Sequence, residues 1–223
     1  MPIRYTPLVN GQFYHTYNRG VAHQPVFSSN RDYERFHLCL YYYRFSNLPF
    51  RLSRLLQIPK EEREQILAAL EATSNLTVEL VAFCLMPNHI HLLLKQLSEG
   101  GISKFMRQIT DSFTRYYNTK YQRVGPLFQG AFKTVRMEND EQLVHVSRYI
   151  HLNPLTSYVV HEKTFINYPW SSLKDYLAKE SKLVNFRIVL DNFNLKDDYL
   201  KFVMDQANYS KELKRIKHLI LEK

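Results

Sequence analysis

The chain has 223 residues, 45% of them apolar, which suits one core-forming domain with additions. Its formal charge is +9 and its pI about 9.4, pointing to an anionic partner such as nucleic acid or a membrane surface. No apolar run approaches the roughly 18 residues of a transmembrane helix, and Met1-Pro2-Ile3-Arg4-Tyr5 lacks the apolar stretch of a signal peptide. Cys39 and Cys84 each lie in an apolar segment and read as small core residues of a reduced, cytoplasmic protein.

Gln12 to Asn18 alternates and is rich in aromatics, so it reads as a first strand that Arg19-Gly20 ends. Asn30 is the expected N-cap of a helix over 31–45. Residues 47–76 interrupt the pattern and read as an insertion holding one amphipathic helix with a solvated face. Leu80 to Leu85 is strand-like, and Met86-Pro87-Asn88 makes a tight turn into a second run, His89-Ile90-His91-Leu92-Leu93-Leu94-Lys95. Strands are expected over 77–85 and 89–96. Gly100-Gly101 breaks the chain, and a helix follows over 102–121, with Ile102, Phe105, Met106, Ile109, Phe113 and Tyr116 at helical spacing. Ala131 to Met137 reads as a fourth strand. Asp140 is the expected cap of a helix over 141–152, stopped by Pro154. From residue 185 onward the tail is charged and helical, ending in Glu212 to His218. Strands and helices mix without regular βαβ alternation, which predicts an α+β fold: a central antiparallel sheet with helices packed on it. The division expected is a domain over 1–178 and a helical extension over 179–223.

Three features carry chemistry. His89 and His91 are two apart on a strand, so they share a face, with Cα atoms roughly 6.6 Å apart. Two imidazoles so placed can converge on one metal ion. The alternative is one buried, hydrogen-bonded histidine beside an exposed one. Second, Gly101 to Arg136 holds Lys104, Arg107, Arg115, Lys120, Arg123, Lys133 and Arg136 against Asp111 alone, a net +6 of the chain's +9. Phe105, Phe113, Tyr116, Tyr117, Tyr121, Phe128 and Phe132 are interleaved. Basic residues neutralise phosphates and aromatic rings stack bases, so this stretch suits nucleic acid; the alternative is a solvated face over an aromatic core. Third, Tyr149 and Asn153 lie one helical turn apart in Ser147-Arg148-Tyr149-Ile150-His151-Leu152-Asn153-Pro154, with His145 on the same face.

The order of Pro87-Asn88-His89-Ile90-His91, the loop Gly125 to Lys133, and Tyr149-Ile150 with Asn153-Pro154 resembles the single-tyrosine HUH transposases, and looks closest to their REP-associated branch. Tyr14 to Gly20 and Tyr168-Pro169-Trp170-Ser171-Ser172 also resemble that branch. The resemblance spans about residues 10–178, without the 47–76 insertion or the tail. It implies a ferredoxin-like sheet with the histidine pair on a middle strand. It implies His89 and His91 as metal ligands, Tyr149 as nucleophile, and Asn153 as a polar third ligand. Arg19 joins the seven basic residues as a candidate DNA contact. The implied activity is cleavage and rejoining of single-stranded DNA beside hairpins, through a 5′-phosphotyrosine. Two imidazoles and an amide oxygen make a mixed donor set that both Mg²⁺ and Mn²⁺ serve, Mn²⁺ binding more tightly. The implied partner is single-stranded or hairpin DNA near the nucleoid, with the protein as monomer or homodimer. The competing reading is a relative that binds a DNA or RNA hairpin without cutting it.

Overall fold

A computed structural model describes residues 7–193 and 198–205. Strand β1 is Phe13–Arg19, followed by helix α1 over Asn30–Tyr43 and helices α2 over Leu52–Leu55 and α3 over Lys60–Thr73. Strands β2 over Val78–Met86 and β3 over His89–Gln96 form the hairpin read from the sequence. Helix α4 is Gly101–Lys120, strand β4 is Lys133–Arg136, and helix α5 is Asp140–Thr156. Short helices α6 (Glu162–Phe165), α7 (Leu173–Ala178), α8 (Arg187–Leu190) and α9 (Asp198–Met204) complete the described chain.

The four strands form one antiparallel sheet in the order β2-β3-β1-β4. The fold is therefore α+β, with β3 and β1 central. Register decides what each face carries. Tyr17 pairs with His91 and Arg19 with His89. Since strand side chains alternate, His15, Tyr17, Arg19, His89, His91 and Lys133 share one face. Ile90, Leu92, Leu94 and Gln96 share the other. On that second face Gln96 accepts a hydrogen bond from the Ile102 N–H at 3.2 Å, seating the start of α4, and α4 packs against α1. Helix α5 covers the histidine face, where the Tyr149 ring meets His91. The free edge of β2 is closed by residues 168–172: Leu85 N–H donates to Trp170 O at 2.8 Å, and Tyr168 donates to Leu85 O at 2.7 Å.

Several boundaries differ from the sequence reading. Ser29, not Asn30, is the residue before α1, and the Asp32 carboxylate caps from inside by accepting from Ser28 N–H at 2.9 Å. Asn139, not Asp140, caps α5: its side chain accepts from Gln142 N–H. Helix α5 runs through Pro154 to Thr156. Proline removes one N–H, but Ser157 N–H still reaches Asn153 O at 2.9 Å, so the next turn closes. The insertion holds two helices, not one, and it is tied into the core: Leu52, Leu55 and Leu70 are buried, and Tyr42 donates to Phe50 O at 2.8 Å. Strand β4 is shorter than expected. The tail forms α8 and α9, while Glu212 to His218 lies outside the described residues. Cys39 and Cys84 are buried free thiols. Among the described residues no helix is long and apolar enough to cross a membrane.

Candidate active site

The sequence pattern that makes β3 a strand also aims its histidines. Ile90, Leu92 and Leu94 fill the far face, and His89 and His91 face α5. Their rings stand perpendicular with centroids 4.9 Å apart. Each has its Nδ1 engaged. Asn88 uses its amide N–H on His23 O at 3.2 Å, which leaves its Oδ1 to accept from His89 Nδ1 at 2.6 Å. His91 Nδ1 lies 2.9 Å from His15 Nε2. A ligating imidazole commonly has its second nitrogen fixed in this way, so Nε2 of each is the nitrogen to offer an ion.

Helix α5 supplies the other two residues. The Tyr149 ring meets His91 edge-on at 5.5 Å and His15 at 5.9 Å, and Tyr149 is buried. Asn153 donates from Nδ2 to the Tyr149 carbonyl at 3.1 Å and hydrogen-bonds His89 through its side chain. The structure thus brings His89, His91, Tyr149 and Asn153 to one place. Among the described residues no three imidazole, thiol or carboxylate groups form a metal-holding cluster. The donors that fit a divalent ion are two imidazole nitrogens and one amide oxygen.

Electrostatics favours neutral imidazoles. Burial pushes His15 down to about 3. Burial, then the Arg19 charge, takes His89 down to about 4, against the opposing bond from Asn153. Burial first, then His89, His15 and Arg19, holds His91 well below the ordinary histidine range. At neutral pH all three retain a lone pair, which metal coordination requires.

A cavity of about 360 Å³ opens beside His89, lined by Tyr17, Asn18, Arg19, His23, Gln129, Ala131 and Lys133. Arg19 and Lys133 give it positive charge. Gly20 fixes its rim: a Cβ there would lie 2.2 Å from Gln24 O, so the turn beside Arg19 accepts no side chain. The loop 125–132 reaches the site because Gln129 N–H donates to Arg19 O at 2.7 Å.

The basic stretch does not stay together. Lys133 faces the site, while Arg136, three residues later, points to the opposite face, where it donates to Gln12 at 3.0 Å. Lys104, Arg107, Arg115 and Lys120 sit on α4, beneath the sheet face that Tyr149 does not share. Lys104 reaches Ser46 O at 3.5 Å. Lys120 is paired with the buried Asp32 at 2.7 Å. Arg123 donates to Asn118 at 3.2 Å and lies over Tyr117.

Sequence reasoning missed His15. Its strand, its alternation and its motif were visible, but its contact with His91 depends on the β1–β3 register. It also missed His151, buried on α5 between Tyr199 and Ser172. His151 Nδ1 lies 2.6 Å from the Tyr199 hydroxyl and Nε2 lies 2.7 Å from Ser172 Oγ. This network pins the helix carrying Tyr149 to α9 and to the β2 edge.

Residues 52–153 match the family model described as transposase IS200 like. That span contains His89, His91, Tyr149 and Asn153. The chain is similar to the IS200-like transposases. Among solved structures, a REP-associated tyrosine transposase bound to a REP hairpin matches with a TM-score of 0.54 and 16% identity, over 80% of this chain and 87% of that chain. At this identity the likeness is one of fold. It covers a larger share of the chain than the family match does. No curated protein matches the chain.

Proposed function

We propose that this IS200-like chain is a metal-dependent single-stranded DNA endonuclease and strand transferase that uses Tyr149 as its nucleophile beside DNA hairpins. The observation that carries this reading is the Tyr149 ring set edge-on against His91 of the His89–His91 pair, with Asn153 one turn away on the same helix. The family match and the hairpin-bound relative support a DNA substrate.

Tyr149 Oη attacks the scissile phosphorus. The bond from phosphorus to the 3′ oxygen breaks, a 5′-phosphotyrosine forms, and the proton lost by the tyrosine is balanced by the one gained by the 3′-hydroxyl. A later 3′-hydroxyl reverses the step onto another strand without ATP, since the phosphodiester energy is retained. A tyrosine hydroxyl, with a reference pKa of about 10, is a poor nucleophile without help. A bound Mg²⁺ or Mn²⁺ would supply polarisation of the phosphate and neutralisation of its charge. His89 and His91 are poised to hold that ion, Asn153 to complete its donors, and Arg19 and Lys133 to orient the phosphate at the cavity. The protein then works in the cytoplasm, near its DNA.

The test is covalent trapping. Wild-type protein incubated with hairpin-flanked single strands and Mn²⁺ should give a denaturant-stable protein–DNA adduct, and Tyr149→Phe should give none while still binding DNA. A Tyr149→Phe protein that still cross-links would remove the assignment. A wild-type protein that binds but never cross-links would be a hairpin-binding module.

A further inference from the structure

The cavity beside His89 has a strained wall. Ala22 and His23 both hold a left-handed backbone, with φ of 51° and 59°, in the short 3-10 turn Val21–His23 that follows β1. Among the described residues they are the only consecutive pair of non-glycine residues in that region. Ser74, Gln122, Tyr158 and Lys179 adopt it singly, each just past the last turn of a helix, where such a residue is ordinary. Glycine would hold the turn at Ala22 and His23 without the clash between Cβ and backbone. The surroundings hold it instead. Gly20 N–H donates to Asn88 O at 2.8 Å, Val21 N–H to Leu127 O at 3.0 Å, and Asn88 Nδ2 to the His23 carbonyl at 3.2 Å. The β2–β3 turn and the loop before β4 thus fix one costly conformation. Strain kept in this way marks a place where the position of a side chain matters.

What the turn positions is the His23 ring. It is exposed and lines the cavity together with Arg19, His89 and Lys133. Arg19 Nη1 lies 3.5 Å from His23 Nδ1. A guanidinium only donates, so Nδ1 is the acceptor of this pair and the proton of the neutral ring sits on Nε2. His23 therefore brings an N–H donor to the cavity. The fold also says which atom would meet it. Helix α5, which carries Tyr149, packs over β2 and β3. The cavity opens over β1 and β4, and Tyr149 is not among the residues that line it. His89 stands between the two, bordering the cavity and bonded to Asn153 on α5. Displacement at phosphorus keeps the attacking and leaving oxygens roughly in line. A phosphate attacked by Tyr149 Oη beside His89 then sends its 3′ oxygen away from α5, toward this cavity.

We propose that His23 is a catalytic residue that donates a hydrogen bond from Nε2–H to the departing 3′ oxygen, and that the strained turn holds it there. The bond from phosphorus to the 3′ oxygen breaks and the bond from phosphorus to Tyr149 Oη forms. His23 keeps its proton and stabilises the charge that develops on the leaving oxygen; the 3′-hydroxyl ends with the proton that Tyr149 loses. The inference rests on the reading of Tyr149 as nucleophile and adds the group on the leaving side.

The experiment follows single-turnover adduct formation with Mn²⁺ on the hairpin-flanked single strand used for trapping, made with either oxygen or sulfur at the bridging 3′ position. His23→Gly removes the ring, relieves the turn and keeps the carbonyl that holds Asn88. This variant should melt no lower than wild type and bind the hairpin as well. It should nonetheless form adduct on the oxygen strand about 100-fold more slowly, as for the loss of one donor to a developing oxyanion. On the sulfur strand the two proteins should match, because a thiolate, the base of a stronger acid, departs without a donor. His23→Gln returns an N–H donor on a longer arm and should recover part of the loss on oxygen. A glycine variant as fast as wild type on oxygen would overturn the role. Equal slowing on both strands would make His23 a support of the site and overturn its contact with the leaving oxygen. Wild-type protein that forms no adduct on either strand would instead overturn Tyr149 as nucleophile, and the role of His23 with it.

Discussion

His15 Nε2 lies 2.9 Å from His91 Nδ1, with the two rings stacked 5.1 Å apart and both side chains fully buried. One of these nitrogens donates and the other accepts. If His91 Nδ1 carries the proton, its Nε2 bears the lone pair that could meet an ion. If His15 Nε2 carries it, the proton of neutral His91 sits on Nε2 and blocks coordination. His15 therefore selects the His91 tautomer. His15→Phe keeps a ring in the same space and removes the acceptor. Mn²⁺ affinity, measured by titration calorimetry, should fall about 10- to 100-fold, as for other partners of ligating histidines. An unchanged affinity with an unchanged melting temperature would reduce His15 to packing.

The metal itself is the next prediction. His89→Ala and His91→Ala should each abolish adduct formation, and EDTA should reproduce both. Hairpin binding should survive, because the basic residues of α4 lie on the other face of the sheet and are left unchanged. His91 is wholly buried, so His91→Ala also leaves a cavity and should lower the melting temperature more than His89→Ala does. Undiminished adduct formation in EDTA would remove the metal role.

What the sequence disclosed and what it withheld follow from the range of the interactions involved. The hairpin of β2 and β3, the shared face of His89 and His91, and the turn between Tyr149 and Asn153 are local features, set by periods of 2 and 3.6 residues. They were legible. The capping residues lie one position earlier than expected: Ser29 precedes α1, where Asp32 accepts from Ser28 N–H, and Asn139 takes the Gln142 N–H at the start of α5. The contact of His15 with His91 spans 76 residues and depends on strand register, which no local pattern encodes. The basic stretch looked continuous along the chain. Alternation on β4 and the placement of α4 beneath the sheet divide it between two faces.

Asp32 gives a prediction about stability and pH. It is wholly buried on α1, and its carboxylate accepts from Lys120, Tyr116, Tyr121 and Ser28 N–H. Burial alone would raise its pKa, but the bonds from Lys120, Tyr121, Ser28 and Tyr116 together carry it below the ordinary value. A depressed carboxylate stabilises the fold above its unfolded pKa and loses that contribution as the pH falls through the folded one. The histidines act earlier. His15, His89 and His151 have folded values of about 3, 4 and 3, below the unfolded 6.5, so the unfolded chain binds more protons in that interval. Stability of the metal-free protein should therefore decline from about pH 6.5 down to about 4 and fall further as Asp32 titrates. Asp32→Ala should cost about 3 kcal/mol at pH 7, since it strands a lysine and two tyrosines. A flat melting temperature between pH 7 and pH 4 would contradict the burial of the three neutral histidines.

Asn153 is the sharpest test of the site, because a cap and a ligand make opposite demands on it. A helix ending at Pro154 would leave Asn153 as its terminator, and glycine would replace it well. The helix instead passes through Asn153 to Thr156, and the Asn153 amide is turned inward, with Nδ2 on Tyr149 O and the side chain bonded to His89. Asn153→Gly then loses twice if the proposal holds: about 1 kcal/mol of helix stability at an interior position, and the amide oxygen proposed as a ligand. Asn153→Ala restores the helix and still lacks the oxygen. Asn153→Gln keeps the oxygen on an arm one methylene longer. The expected order of Mn²⁺-dependent adduct formation is wild type, then Gln, then Ala and Gly together near background, with hairpin affinity close to wild type in all four. An Ala variant as active as wild type would leave the ion with two protein ligands and confine Asn153 to bracing the turn of helix that carries Tyr149.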